Sequence, residues 1–265
     1  MLENSYSHIF YRALLPLGIA WLLTLLSFLI PVSSATSPPP FDLSQAGMDL
    51  VYWISESAKY GAPLVVLLAV VVIVSRYEID PARRRIEFIV IALTASVLAV
   101  GGAIANEQLV KTGFQVPRPN IQWLAGENGE GPLGMTVDAF YAVDNDEIRQ
   151  ASVAGALAQE TASIDLTTLI RAHWIRETGF SFPSGHSFSA MFIASFMLML
   201  AAGYPVCRRY WLIYLLLPWA LAVCFSRPVL GVHSAADVTI GGLLGILTGL
   251  LAWAISIKLV HRYSR

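Results

Sequence analysis

Eight residues in three short stretches have the types and the spacing for one kind of chemistry. "KTGFQVPRP" supplies Lys111 and Arg118, "FPSGHS" supplies Ser184, Gly185 and His186, and "SRPVLGVHSAAD" supplies Arg227, His233 and Asp237. Lys111, Arg118 and Arg227 offer three positive charges to a multiply charged anion, and the two guanidinium groups can grip phosphate oxygens bidentately. Ser184 and Gly185 stand just ahead of an apolar run, where free backbone N–H groups and the helix dipole favour an anion. Ser184 also suits a helix N-cap, and Gly185 suits close packing. His233 and Asp237 are spaced i and i+4, so on a helix they face the same way. The carboxylate can then hold one ring nitrogen and leave the other as a nucleophile. His186 has no carboxylate beside it in sequence and is free to protonate a leaving oxygen.

These stretches are set among elements of one character. The 265 residues are 56% hydrophobic and 13% charged, with a mean hydropathy of +0.62, too apolar for a soluble domain with a charged surface. A net charge of -1 gives no global basic field, so no nucleic-acid partner is expected. Six apolar segments stand out, at 14–30, 60–75, 88–105, 187–202, 211–225 and 238–259. Several fall short of the ~20 residues that cross a hydrocarbon core, so their helices must run on into polar flanks. The reading is an all-α integral membrane protein with six transmembrane helices. The first run, followed by "PVSSATS", also has the outline of a secretory signal. It is longer than the usual ~7 to 15 residue signal core, and cleavage would not invert the remaining spans.

Lys and Arg set the orientation. With the N-terminus in the cytoplasm, the inner side receives Arg12, Arg76, Arg83, Arg84, Arg85, Arg208, Arg209, Lys258, Arg262 and Arg265, ten of the seventeen basic residues. All lie in short loops or ends, as the positive-inside bias requires. Counting spans from there puts all three reactive stretches on the outer face, which the charge count did not require. Residues 106–182 carry patterns for two or three short helices between 137 and 178 and read as a small helical cap on that face. The whole of 1–265 is then a single membrane domain with 106–182 as an insertion between the third and fourth spans.

Other features have plainer readings. Tyr52 and Trp53 suit an interfacial stretch ahead of the second span. His173, Trp174, Arg176 and Glu177 fit a solvated helix face as well as a substrate contact. Gly241, Gly242, Gly245 and Gly249 fit close helix packing. Cys207 and Cys224 lie 17 residues apart, about 25 Å along a helix, too far for a disulfide.

The order K-x6-RP, PSGH, SR-x5-H-x3-D, filled by Lys111 to Pro119, Pro183 to His186 and Ser226 to Asp237, resembles the three-part signature of the type 2 phosphatidic acid phosphatase superfamily. Within it, the segment "AHWIRETGFSFPSGHSF", the six spans and the size resemble the bacterial subgroup that acts on phosphatidylglycerol phosphate. The resemblance implies a metal-independent, cofactor-free lipid phosphatase of the bacterial inner membrane, with both termini cytoplasmic and the active site facing the periplasm. It implies a phosphohistidine on His233, supported by Asp237. His186 would act first as acid and then activate water, while Lys111, Arg118, Ser184, Gly185 and Arg227 hold the phosphate. The substrates implied are phosphatidylglycerol phosphate, undecaprenyl pyrophosphate, phosphatidic acid and diacylglycerol pyrophosphate. The bilayer and its lipids are the expected partners, with no obligate protein partner.

Three rival readings remain. One is a dedicated undecaprenyl-pyrophosphate phosphatase of the same superfamily. A lipid transporter or flippase is another, but transport sites usually sit near the bilayer midplane between repeats, and no repeat is visible. A vanadium haloperoxidase would share the phosphate cradle, but those enzymes are soluble.

Overall fold

A computed structural model describes residues 9–60, 80–159, 164–203 and 210–263. Numbered along the chain, five of its helices are long and apolar enough to cross a membrane: α1 (Phe10–Leu29), α3 (Pro81–Phe114), α8 (Gly185–Gly203), α9 (Leu212–Val229) and α10 (Ala235–Tyr263). Helix α2 (Gly47–Ser57) follows α1, and α4 (Pro119–Ala125), α5 (Val137–Ala142), α6 (Asp146–Leu157) and α7 (Thr168–Arg176) form the insertion. The expected second span, 60–75, lies outside the described residues except for Tyr60, as do Arg76, Cys207, Arg208, Arg209 and Arg265. Cys224 is buried as a free thiol.

The short apolar runs do extend into their polar flanks. Asp80 caps α3 by accepting the N–H groups of Ala82 and Arg83, with Pro81 at the first helical position. Arg83, Arg84 and Arg85 therefore open the helix rather than lie in a loop. The helix runs 34 residues, about 50 Å at 1.5 Å per residue, and stops where Gln115 turns left-handed with φ 51°. That length carries Lys111 on the last turn of α3. Helix α9 likewise takes Arg227 into its final turn.

Helix α8 is the hub. From Ser187 to Ala201 every residue but Ser189 is buried, as expected for a helix apolar on all sides. Helix α10 lies against it along the glycine stripe. A Cβ on Gly241 would come within 2.5 Å of the Ser184 carbonyl, and one on Gly245 within 2.2 Å of the Phe188 carbonyl. Only bare backbone lets the two helices approach so closely. Leu93, Val97, Ile104, Leu247 and Leu251 point outward and exposed, the surface a lipid environment accepts.

Connectivity separates the ends of the bundle. Phe88, Leu200, Leu216 and Val260 meet in one apolar cluster, and Tyr214 donates its hydroxyl to the Arg12 carbonyl at 2.7 Å. Arg12, Arg83, Lys258 and Arg262 thus gather at one end. The three reactive stretches gather at the other.

The insertion packs around a core of Ile121, Leu124, Phe140, Val153, Ile170 and Trp174 that also takes in Leu43, Tyr52, Leu230 and Val232. Three short helices, α5, α6 and α7, do occupy the region between 137 and 178. Tyr52 is buried in this core and so is not the interfacial residue expected, whereas Trp53 beside it is exposed. The Trp174 indole N–H donates to the Leu230 carbonyl at 2.8 Å, which seats the cap on the turn leading to His233.

Candidate active site

Two helix starts build the reactive end. Ser184 caps α8: its Oγ accepts the Ser187 N–H at 3.3 Å and is also bonded by the Ser187 hydroxyl at 3.1 Å. The Ser184 N–H donates to the Asp237 carbonyl at 3.0 Å, tying the start of α8 to the start of α10. The hydroxyl is thus engaged by its own helix, and the first-turn N–H groups of Gly185 and His186 have no acceptor within that helix. These are the groups that suit an anion.

His233 precedes α10, in a turn where Gly231 takes φ 72°. The i, i+4 helical face expected for His233 and Asp237 is therefore not what joins them. A capping box does so: the Asp237 N–H donates to Ser234 Oγ at 3.2 Å, and the Ser234 N–H donates to Asp237 Oδ2 at 2.7 Å. This folds the carboxylate back over the turn, 3.3 Å from His233 Nδ1.

Arg118 fixes the rest of that histidine. Its Nε donates to the Gly179 carbonyl at 2.8 Å, and its Nη1 to the Val232 carbonyl at 3.2 Å. Nη1 also lies 3.1 Å from His233 Nε2. A guanidinium can only donate, so Nε2 accepts and Nδ1 carries the proton toward Asp237. The lone pair of Nε2 then faces the cationic cluster.

Arg227 is fully buried; its Nη1 donates to Ser55 Oγ at 2.7 Å and lies 3.2 Å from His173 Nε2. Between the two arginines stands Glu177, 2.7 Å from Arg118 Nη2 and 3.5 Å from Arg227 Nη2. A carboxylate thus sits where two guanidinium groups converge. Its neighbours His173 and Trp174 are fully buried, so these three do not form a solvated face; Arg176 remains exposed. Lys111, also buried, pairs with Glu107 at 2.8 Å.

A cavity of about 380 Å³ opens on this cluster, lined by Lys111, Arg118, Glu177, Gly185, His186 and His233. Arg227 and Asp237 stand behind it, in contact with Glu177 and His233. The structure brings together all eight residues read from the sequence. A second, apolar cavity of about 190 Å³, lined by Ala99, Val100, Phe188, Phe192 and Ile193, shares Ala58, Lys59, Ala103 and Ser189 with the first. Among the described residues, no group of three or more His, Cys, Asp and Glu is arranged to hold a metal ion.

Four contributors were missed or left ambiguous by the sequence reading: Ser55, Glu56, His173 and Glu177. Glu56 Oε1 lies 3.5 Å from His173 Nδ1 and 3.6 Å from His186 Nε2, and Oε2 is 2.8 Å from Lys59. The available signal was topological, since an acidic residue just ahead of an outward-starting span shares the reactive face.

The charges set the protonation states. Burial, then Arg118, Arg227 and Lys111, hold the His233 imidazole well below its usual value. Burial, then Arg227, do the same to His173. Burial would raise the Glu177 carboxyl, but Arg118 and Arg227 outweigh it and keep it well below the usual range. For Glu56 too, burial is outweighed, by His186 and Lys59, and its carboxyl lies at about 2.

His173 and His233 are therefore neutral when folded and bind protons on unfolding once the pH drops below about 6.5, the unfolded value. Stability is intact above that pH and falls below it, by up to about 1.4 kcal/mol per pH unit for each imidazole. The melting temperature in detergent should fall between pH 7 and pH 5. His173→Gln should flatten that slope, and an unchanged slope would contradict a neutral His173.

With fold and geometry in place, the class follows: the PAP2 superfamily profile matches residues 88–260, and the chain belongs to that superfamily. Its relatives narrow the likeness. It is 34% identical over 173 residues to Phosphatidylglycerophosphatase B of Escherichia coli (strain K12), covering 65% of this chain and 60% of that protein. It is 30% identical over 170 residues to Phosphatidylglycerophosphatase B of Haemophilus influenzae, covering 60% of this chain and 64% of that one. A Lipid A 4'-phosphatase of Bacteroides thetaiotaomicron is 30% identical over 103 residues, 39% of this chain and 42% of its own. The match to the first of these thus spans 60% of the relative's length. The family resemblance carried by the three stretches holds at both levels.

Proposed function

We propose that the protein hydrolyses lipid phosphate esters at one membrane face through a phosphohistidine on His233. The carrying observation is His233 itself, with Nδ1 turned to Asp237 and Nε2 facing Arg118. Substrate phosphate displaces Glu177 from Arg118 and Arg227 and takes Lys111 and the N–H groups at the start of α8 as further partners. Nε2 attacks phosphorus, the bond to the lipid alcohol oxygen breaks, and His186 gives that oxygen a proton. His186 then takes a proton from water as the water displaces His233 and inorganic phosphate leaves. Lys111, Arg118 and Arg227 neutralise the phosphate charge, so no metal enters the scheme.

Two features favour a lipid over a soluble ester. The apolar cavity between α3 and α8 runs into the reactive one, and the reactive groups lie at one end of the spans rather than midway. The second feature also disfavours the transporter reading. The activity for which two relatives are named makes phosphatidylglycerol phosphate the first substrate to try; undecaprenyl pyrophosphate, phosphatidic acid and diacylglycerol pyrophosphate follow from the family resemblance. Basic residues gathered at the far end support a periplasmic site in a bacterial inner membrane, with cytoplasmic termini.

Purified protein in detergent with chelator present should release inorganic phosphate from phosphatidylglycerol phosphate, and much faster than from glycerol phosphate. Competition among the four lipids at equal surface concentration ranks them. Equal rates on glycerol phosphate would count against a lipid phosphatase.

A further inference from the structure

Three buried or half-buried carboxylates of the reactive end meet different groups. Asp237 holds His233, and Glu177 bridges Arg118 and Arg227, where incoming phosphate must displace it. Glu56 is left for His186. It reaches the site from α2, outside the residues 88–260 that define the family match.

The geometry of Glu56 is that of a partner rather than a bystander. Its residue is 8% exposed, and its Oε1 faces His186 Nε2 at 3.6 Å and His173 Nδ1 at 3.5 Å. All three atoms are buried and have no hydrogen-bond partner among the described residues. Buried polar atoms are rarely left so, and a shift of a few tenths of an ångström would close either gap. His173 Nε2 already accepts from Arg227, which leaves its Nδ1–H for Glu56. Lys59 anchors the other oxygen, at 2.8 Å.

We propose that Glu56 is a positioning residue that holds His186 as the proton donor to the leaving alcohol. The proposal rests on the phosphohistidine reading above. Charging a buried imidazole is costly unless a carboxylate stands beside it. Glu177 is committed to the arginines and gives up its place to phosphate, whereas Glu56 stays beside His186. It receives a hydrogen bond from His186 Nε2–H and leaves Nδ1–H for the substrate. When His233 Nε2 forms its bond to phosphorus and the P–O bond to the lipid breaks, the electron pair of that bond goes to the alcohol oxygen. The Nδ1 proton follows it, and Glu56 neither gains nor loses a proton.

The test is leaving-group dependence in the first turnover. A lipid alkoxide needs a proton as it departs, whereas a nitrophenolate does not. Glu56→Gln keeps the shape and removes the charge. It should slow first-turnover cleavage of phosphatidylglycerol phosphate by about 10- to 100-fold, a fraction of what general acid catalysis supplies. First-turnover nitrophenolate release from a nitrophenyl phosphate bearing a long alkyl chain should change little. The ratio of the two rates in one preparation is independent of how much enzyme is folded, so partial misfolding cannot imitate the effect. An equal loss on both substrates, or none on either, overturns the assignment of Glu56. Retention of both activities in His233→Gln would instead overturn the phosphohistidine reading, whatever Glu56 does.

Discussion

His233→Gln is expected to reduce phosphate release from phosphatidylglycerol phosphate by at least about 10⁴-fold, the scale on which removing a covalent nucleophile acts. The size follows from what else the site retains. Arg118, Arg227 and Lys111 would still bind the phosphate, so KM should move far less than kcat. Only the attacking lone pair is lost, and Asp237, held by the capping box behind His233, is not placed to replace it. The measurement has a covalent counterpart. Wild-type protein mixed with lipid carrying a radioactive phosphate and quenched in alkali should retain label on histidine, and His233→Gln should retain none. Undiminished labelling in the variant would move the nucleophile elsewhere.

The second large effect is at Arg118. Arg118→Ala should lower kcat/KM by about 10²- to 10³-fold, comparable to removing one preorganised donor from an oxyanion site. Both kcat and KM should suffer, because one guanidinium does two things. Its Nη2 lies in the anion position now filled by Glu177, while its Nη1 donates to His233 Nε2 and the Val232 carbonyl. Arg118→Lys should recover little, since an ammonium cannot span Gly179, Val232 and a phosphate with fixed parallel donors. Full recovery by lysine would show that charge alone matters there, measured as kcat and KM on the same lipid.

Much of this protein was legible before any coordinates, for reasons that differ by element. Membrane spans announce themselves because hydrocarbon demands long apolar helices. All five apolar runs that fall among the described residues are helices of the expected type. The candidate site residues stood out because a phosphate site calls for fixed cations and a nucleophile, and Lys111, Arg118, Arg227, His186, His233 and Asp237 are few and polar in an apolar chain. Alternate crossings then carry the three stretches to one end, whatever the packing.

What the sequence left open depends on contacts between residues distant in the chain. Periodicity paired His233 with Asp237 along a helix, whereas the tertiary fold pairs them through a turn and a capping box, because Gly231 breaks the chain before α10 begins. Glu177 has the character of a surface residue and becomes a bridging anion only when Arg118 and Arg227, 109 residues apart in sequence, meet around it. Glu56 and Ser55 belong to no motif; α2 delivers them to His186 and Arg227 by packing on the cap core through Tyr52. By itself, then, the sequence determined the medium, the helices and the candidate reacting groups, since these follow from solvation and from chemistry carried by single residues. Only the tertiary structure decided which carboxylate serves which base, because each pairing depends on a few ångströms between helices that local sequence does not encode.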